Sequence, residues 1–198
     1  VEEFYRADLT DGATIDALID VLPMGIDGVA NIAGLPPTAP AEKVLAVNLF
    51  GLKHLTLGLL PKLNDGASIV NLASLAGFGW ADAISAIRAC EGVHVDDAQR
   101  FANDHHITNE GGRSYFFSKE ALIAWTMQNR WTWRDRGIRM NTVSPGPVDT
   151  PILGDFLETL GARAEEDARI MDRPGTPLDL APIVAFLLSD MTKWIRGT

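Results

Sequence analysis

The chain contains few residues of the kinds that define several protein classes. It has one cysteine among 198 residues, so no disulfide forms within the chain, which fits a reducing compartment. Its 17 basic residues are outnumbered by 26 acidic ones, and no basic stripe is present to neutralise nucleic-acid phosphates. We therefore expect no nucleic-acid partner, and the net charge of −9 indicates an acidic, solvated surface.

Long hydrophobic runs are also lacking. The longest apolar run falls well short of a membrane span, and the N-terminal residues show neither the basic start nor the apolar region of a signal peptide. These absences predict a cytoplasmic protein with no membrane partner. The composition is nevertheless 46% hydrophobic, with no low-complexity stretch. It therefore predicts a single domain over residues 1–198 with a sizeable core.

Strand-like and helix-like segments alternate along the chain. The predicted strands are 4–9, 28–32, 68–73 and 139–143, and the predicted helices are 11–22, 41–63, 113–136, 151–172 and 177–189. This alternation predicts a parallel sheet covered on both faces, that is, a three-layer, doubly wound α/β fold of the Rossmann-like type. Such sheets bind ligands at the carboxyl ends of their strands.

Tyr115 and Lys119 are the most informative pair of residues. A spacing of four places the phenol and the ammonium on one face of a predicted helix. A lysine there is expected to lower the pKa of the tyrosine, which is otherwise near ~10, and so to make the phenolate a usable general base. The pair alone is weak evidence, since chance produces Tyr-x-x-x-Lys roughly one time in twenty in such a chain.

Further motifs surround this pair in a definite order. They are Asn31-Ile32-Ala33-Gly34, then Asn48 in a helical pattern, then Ser74 after a buried strand, and finally Pro145-Gly146-Pro147-Val148-Asp149-Thr150. In this order the set resembles the short-chain dehydrogenase/reductase family, over residues 1 to about 198. The resemblance implies an NAD(P)-dependent oxidoreductase that interconverts a small-molecule alcohol and its carbonyl compound. It also implies a homo-oligomer.

The resemblance implies a role for each catalytic candidate. Tyr115 transfers the proton, Ser74 polarises the substrate oxygen, and Lys119 lowers the pKa of Tyr115 and binds the nicotinamide ribose. Asn48 bends its helix and holds a water that extends the proton relay. Each has a plainer alternative: a packed aromatic for Tyr115, a strand-end bond for Ser74, a solvated lysine for Lys119, and a bond to a backbone carbonyl for Asn48.

The resemblance also implies a set of cofactor-binding residues. They are Asp8, Leu9, Asn31, Ala33, Gly34, Tyr115, Lys119, Pro145, Gly146, Val148 and Thr150. Asp8 and Leu9 would face the adenine, although Asp8 is equally well explained as a turn cap. Ile32 departs from the family motif, which has a second asparagine there. Thr150 has the alternative of a helix N-cap.

The expected cofactor is NAD, with NADP not excluded. The family's Gly-x-x-x-Gly-x-Gly turn does not precede the first predicted strand, so we expect a longer chain whose first βαβ unit and last strand are absent here. The residue that separates NAD from NADP would lie in that missing part. No metal is expected, because the adjacent His105 and His106 point in different directions and have no further ligand at a usual spacing.

The connection between Ser74 and Tyr115 is unusually long. Residues 79–112 form an insert with helical patterns at 81–90 and 96–104. Its length resembles the 3α-hydroxysteroid dehydrogenase/carbonyl reductase and coniferyl-alcohol dehydrogenase subgroups. The insert could cover the substrate pocket or block the helix-bundle interface common in the family.

Apolar residues near the insert and in a predicted lid at 151–172 favour a bulky apolar alcohol, such as an aryl-allyl alcohol or a hydroxysteroid. These residues are Phe78, Trp80, Ile152, Leu153, Phe156 and Leu157. Two other classes of function remain open from the sequence. One is a catalytically silent scaffold, and the other is a sensor that binds NAD(P)H without turnover.

Overall fold

A computed structural model describes residues 3–198, apart from the side chains of residues 163, 164, 167 and 168. Its strands are β1 (Ile26–Asn31), β2 (Leu63–Leu72) and β3 (Arg139–Val143). Its α-helices are α1 (Gly12–Val21), α2 (Ala41–Leu45), α3 (Leu52–Leu59), α4 (Ile84–Ala89), α5 (Ala98–Asp104), α6 (Arg113–Gln128), α7 (Leu153–Leu160), α8 (Ala162–Ile170) and α9 (Pro177–Leu188). Short 3-10 turns, among them Leu75–Ala81, connect several of them.

The three strands form a parallel sheet in the order β1-β2-β3. Asn31 of β1 lies opposite Asn71 of β2. Helices α3 and α6 cover one face of the sheet, and α9 covers the other, where the Ser68 hydroxyl donates to the Leu187 carbonyl over 2.7 Å. The predicted three-layer Rossmann-like architecture is therefore confirmed, with the strands' carboxyl ends at one edge.

A buried polar network fixes α3 and α6 on the sheet. The Asn31 amide donates to Asn71 Oδ1 at 2.8 Å and to the Thr56 hydroxyl of α3 at 2.9 Å. The Asn71 amide in turn donates to the Thr126 hydroxyl of α6 at 2.9 Å. Because buried polar groups are stable only when they are hydrogen-bonded, this network favours one position of both helices on the sheet.

The predicted helix 41–63 is continuous but not uniform. Between α2 and α3 it widens into a π-helical segment, Ala46–Gly51, which contains Asn48. Gly51 ends this segment beside the chain before α1, and a Cβ there would lie 2.1 Å from the Leu9 carbonyl oxygen. By length and composition the helix Ala41–Lys62 would be long enough to cross a membrane. More than half of its apolar window is buried inside the fold, as in a core helix.

The insert packs on the outer face of the two long helices. Phe101 of α5 lies edge-on to Phe50, with ring centres 5.3 Å apart, and lies 5.9 Å from the Phe117 ring of α6. The Lys53 ammonium donates to the Cys90 carbonyl at 2.9 Å. The insert therefore extends the core over a face that these helices would otherwise expose.

Three element predictions need correction. Residues 4–9 form no strand: Phe4 is 85% exposed, and Asp8 turns the chain into α1 by accepting bonds from the Thr10 amide and hydroxyl. A strand requires a hydrogen-bonded neighbour, and these residues pair with none of the described strands. The helix predicted at 113–136 ends at Gln128, where turns begin. The helix predicted at 151–172 is two helices, separated at Gly161 with φ 48°.

The C-terminal residues lie beside β3. The Gly197 amide donates to the Met140 carbonyl at 2.8 Å, and the Thr142 amide donates to the Thr198 carbonyl at 2.7 Å. These bonds fix the C-terminal residues along β3.

Candidate functional site

A cavity of about 740 Å³ opens at the carboxyl ends of the strands. Its wall includes the segments that follow β1, β2 and β3, together with parts of α6, α7 and α9. The residues of the sequence motifs that line it are Gly34, Ser74, Tyr115, Lys119, Pro145, Gly146, Val148 and Thr150. The fold thus brings into one cavity motifs that are separated by up to about a hundred residues in the chain.

Ser74 lies between β2 and the 3-10 turn that follows it. Backbone bonds on both sides tie this segment to the one after β3: Ala73 N to Val143 O at 2.8 Å, and Leu75 N to Pro145 O at 3.0 Å. The Ser74 hydroxyl accepts from the Ala76 amide at 3.2 Å, which is the strand-end bond of the plainer interpretation. It also lies near the Tyr115 phenol, whose pKa it lowers. The same hydroxyl therefore has both a local contact and a contact across the cavity.

Tyr115 lies in the first turn of α6 and is 8% exposed. The ring of Phe156 on α7 packs edge-on against it, with ring centres 4.8 Å apart. Burial raises the pKa of Tyr115 to about 12, and the Ser74 hydroxyl opposes this rise. The Lys119 ammonium is 5.6 Å from the ring centre, and burial is the main cause of the raised pKa. The expectation that Lys119 lowers this pKa stays a prediction.

Lys119 is buried on the same helix, and burial lowers its pKa from 10.5 to about 8. Its ammonium donates to the Leu72 carbonyl at the end of β2, at 2.7 Å. An ammonium has three donors, and this is its one hydrogen bond within the described part of the chain. Two donors thus remain for a ligand in the cavity. The solvated-lysine alternative does not describe this side chain.

Asn48 is completely buried in the π-helical segment, and its side chain holds the loop after β1 by hydrogen bonds. Its Oδ1 accepts from the Leu35 amide at 2.7 Å, and its Nδ2 donates to the Leu35 carbonyl at 3.0 Å. A Cβ at Gly34 would lie 3.4 Å from Asn48 Oδ1 and 3.9 Å from the Lys119 ammonium. These are ordinary contact distances, so Gly34 lies close to both side chains without crowding them. Asn48 thus makes the bond to a backbone carbonyl that the plainer alternative expects. It also lies on the same side of Gly34 as the Lys119 ammonium.

Four of the candidates for cofactor binding lie outside the cavity wall, namely Asp8, Leu9, Asn31 and Ala33. The Asp8 carboxylate holds its turn, and the bonds from Thr10 lower the pKa of this group. Leu9 presents its carbonyl to Gly51, and the Asn31 amide belongs to the buried polar network. Ala33 does not line the cavity either. Thr150 does line it, and it is not an N-cap because α7 begins at Leu153.

The residues present fit the nicotinamide half of a dinucleotide. Two backbone hydrogen bonds hold the segment 145–148 against Gly175. The Asp149 amide donates to the Gly175 carbonyl at 2.7 Å, and the Gly175 amide donates to the Pro147 carbonyl at 2.9 Å. Neither bond uses the Val148 amide, so this amide remains a donor for a carboxamide. The two spare donors of Lys119 suit ribose hydroxyls. At Gly146 a Cβ would lie 2.9 Å from the Met171 sulfur, so a larger residue there would require this flexible side chain to move.

Sequence reasoning placed some cavity residues wrongly and missed others. Ile152, Leu153 and Phe156 line the cavity as the lid prediction expects, but Phe78, Trp80 and Leu157 do not. No residue of the insert 79–112 lines it. The residues of α9 in the wall were missed; they are Pro177, Leu180, Ala181, Val184, Ala185 and Leu188. Nothing in their amphipathic pattern distinguishes a cavity from a core.

No group of three or more metal-ligating side chains in the described part of the chain could hold a metal ion. His105 instead packs on Phe101, with ring centres 4.3 Å apart.

Comparisons with known proteins agree with this geometry. A family model described as enoyl-(acyl carrier protein) reductase matches residues 101–198. The coniferyl-alcohol dehydrogenase of Pseudomonas sp. (strain HR199 / DSM 7063) is 37% identical over 200 residues, covering 100% of this chain and 78% of its own. The 3-alpha-hydroxysteroid dehydrogenase/carbonyl reductase of Comamonas testosteroni is 31% identical over 191 residues, covering 91% of this chain and 74% of its own.

A solved structure extends the similarity to three dimensions. The 3-alpha-hydroxysteroid dehydrogenase of Pseudomonas sp. B-0831, complexed with NADH, superimposes with a TM-score of 0.81 at 27% identity. The match covers 100% of this chain and 80% of that one.

Proposed function

Because this chain belongs to the short-chain dehydrogenase/reductase family, and is thus an NAD(P)-dependent oxidoreductase of alcohols and carbonyl compounds, we propose that it acts on a bulky, uncharged aryl-allyl alcohol of the coniferyl type. The observation that carries the substrate proposal is the chemistry of the cavity wall. Among the described residues, the polar side chains in the wall are those of Ser74, Tyr115, Lys119 and Thr150, and none of them is a carboxylate or an arginine. Such a wall gives a charged or polyhydroxylated substrate few partners for its polar groups beyond those that the reacting oxygen and the cofactor would use.

In the proposed mechanism Tyr115 moves the proton. During oxidation its phenolate oxygen takes the hydroxyl proton of the substrate, and during reduction its phenol returns that proton to the carbonyl oxygen. The bound nicotinamide supplies the hydride acceptor or donor. Ser74, which lies near the Tyr115 phenol, holds the substrate oxygen at the same point. The phenol, the serine hydroxyl and the substrate oxygen then share one set of hydrogen bonds.

Lys119 and Asn48 support this proton transfer in the proposal. The Lys119 ammonium holds the ribose and supplies positive charge near the phenolate that forms. Asn48 fixes the loop at Leu35 and hence the wall beside Gly34, and it lies where a water-mediated relay from Lys119 would pass. Asn31, Ala33, Asp8 and Leu9 act on the adenosine side or through the sheet.

The proposed cofactor is NAD rather than NADP. The support is a relative: the solved 3-alpha-hydroxysteroid dehydrogenase holds NADH and aligns with the whole of this chain. Equal turnover with NADP would remove this preference without affecting the proposed chemistry.

The deciding experiment follows NADH absorbance with each cofactor and a panel that includes coniferyl alcohol, androsterone and cyclohexanol. We expect turnover of coniferyl alcohol, its loss in Tyr115→Phe by at least about a hundredfold, and NADH binding by calorimetry that the substitution leaves intact. Turnover of androsterone alone would favour the hydroxysteroid alternative. NADH binding without turnover on any substrate would favour the sensor. Neither binding nor turnover would favour the silent scaffold.

We also propose a homo-oligomer in the cytoplasm, as is usual in the family. The insert already covers the outer face of α2 and α6, so assembly must use another surface. The exposed apolar side chains of α9 and the residues after it offer one; they are Leu178, Ile183, Phe186, Met191 and Trp194. Light scattering measures the assembly state, and Ile183→Glu should lower it if this surface is used.

A further inference from the structure

Two neighbouring residues of α7 make contacts in different directions. The Phe156 ring packs on the Tyr115 ring, with ring centres 4.8 Å apart at an angle of 74°. Asp155, one residue earlier, accepts a 2.6 Å hydrogen bond from the Thr38 hydroxyl. Thr38 lies in the loop 35–40 between β1 and α2. The catalytic phenol and this loop are thus joined through two consecutive side chains of α7.

The loop 35–40 is itself firmly held. Asn48 bonds both backbone groups of Leu35, and the Asn109 amide donates to the Ala39 carbonyl at 2.6 Å. Three of its six residues are proline, which restricts the backbone further. The loop is therefore a rigid attachment point.

Asn109 also connects this loop to the catalytic helix. Its Oδ1 accepts from the Ser114 hydroxyl at 2.7 Å, and Ser114 immediately precedes Tyr115. The loop that carries Thr38 and the helix that carries Tyr115 thus keep a fixed separation.

Helix α7 has little else to hold it by specific bonds. Within the described part of the chain, the Thr38–Asp155 contact is the one side-chain hydrogen bond from α7 to another segment. The other side-chain bond of this helix, from the Thr159 hydroxyl to the Asp155 carbonyl at 2.9 Å, stays within it. The rest of its attachment is apolar contact around the cavity, which defines no single position as sharply as a hydrogen bond does.

We propose that Thr38 and Asp155 are positioning residues that latch α7 to the loop 35–40, so that Phe156 stays on the Tyr115 ring and sets the width of the substrate site. The inference rests on the proposed function, because it assigns a role within that same site. A ring at this place limits the room beside the reacting oxygen, so it selects flat substrates over branched ones. It also keeps water from the phenol, in agreement with the pKa of Tyr115 of about 12.

Amide hydrogen exchange tests the latch without any need for turnover. Thr38→Val removes the hydroxyl and keeps the shape, and we expect the α7 amides to exchange about fivefold faster, as for the loss of one hydrogen bond. Thr38→Ser restores the hydroxyl and should return exchange to the wild-type rate. Thr159→Val is the matched control, since its hydroxyl bonds only its own helix, and it should leave α7 attached. Unchanged α7 exchange in Thr38→Val overturns the proposal whatever the enzyme's activity.

Kinetics then test the consequence for the substrate. In Thr38→Val we expect KM for coniferyl alcohol to rise about fivefold while a branched aryl alcohol loses little or gains, with Thr38→Ser close to wild type. Asp155→Ala should give the same change, and the double variant should equal each single one, because both remove the same bond. Additive effects, or equal losses for flat and branched alcohols, contradict the latch. Absence of wild-type turnover would instead contradict the proposed function, with the exchange result unaffected.

Discussion

Replacing Lys119 by methionine should stabilise the protein while it abolishes turnover. The ammonium of this side chain is 5% exposed and has one hydrogen bond within the described structure. Burial disfavours the charged form, which is why the pKa of Lys119 falls to about 8. The fold therefore keeps a costly charge at the place where the proposed mechanism needs one. Methionine fills similar space without that cost.

The size of the effect follows from the pKa. A fall from 10.5 to about 8 corresponds to about 3 kcal/mol, since one pH unit is worth about 1.4 kcal/mol. The variant also loses the hydrogen bond to the Leu72 carbonyl, which lowers its stability by about 1–2 kcal/mol. We therefore expect the free energy of unfolding of Lys119→Met to exceed that of the wild type by about 1–2 kcal/mol at pH 7.

The sign also fixes the pH dependence. Below pH 8 both the folded and the unfolded state bind the Lys119 proton, whereas between about 8 and 10.5 only the unfolded state does. The stability of the wild type should therefore rise relative to Lys119→Met across this window. Because the wild type gains about 3 kcal/mol over the window, the advantage of the variant should be lost within about 1–1.5 pH units above pH 8 and be reversed near pH 10.5.

Urea unfolding without cofactor, at several pH values from 6.5 to 10.5, measures this difference. Lys193→Met, which removes an exposed lysine, is the control and should stay within about 0.5 kcal/mol of wild type at every pH. A Lys119→Met variant that is less stable than wild type by an amount independent of pH would refute the reasoning. Burial would then not be what governs this side chain.

Three further predictions follow from close contacts and charges. Gly51→Ala should cost about 3 kcal/mol or more in unfolding free energy, because its Cβ meets the Leu9 carbonyl at 2.1 Å, while Gly154→Ala, with nothing within 4 Å, should be neutral or stabilising. Arg113→Leu should lower the free energy of unfolding by about 2 kcal/mol, because it removes the guanidinium that lies 2.7 Å from the buried Glu120 carboxylate, which is 6% exposed. Adding Glu120→Gln should recover part of this loss. No recovery would mean that the ion pair does not contribute to stability. Below pH 8, where Lys119 keeps its proton, the kcat/KM for alcohol oxidation should rise with pH by up to about tenfold per unit, because the pKa of Tyr115 is about 12. In the same range the kcat/KM for carbonyl reduction should stay flat, and a plateau in oxidation below pH 8 would contradict this reasoning.

The residues proposed as catalytic could be located from the sequence because each of their motifs is local. Tyr115 and Lys119 need only a helix to share a face, and Ser74 and Gly146 need only to follow a strand. The family resemblance supplied their order, and the comparisons confirmed the family. Sequence patterns failed where a partner decides the outcome. Residues 4–9 have strand composition, yet no described strand accepts them.

The sequence by itself determined the alternation of strands and helices, and hence which residues meet at the strand ends. Only the tertiary structure decided which groups surround the phenol, and therefore that burial raises the pKa of Tyr115. It alone placed the insert against α6 rather than over the cavity, and Asp155 beside Thr38. The physical reason is range. Helix and strand patterns depend on near neighbours in the chain, whereas desolvation and packing depend on whatever the fold brings alongside.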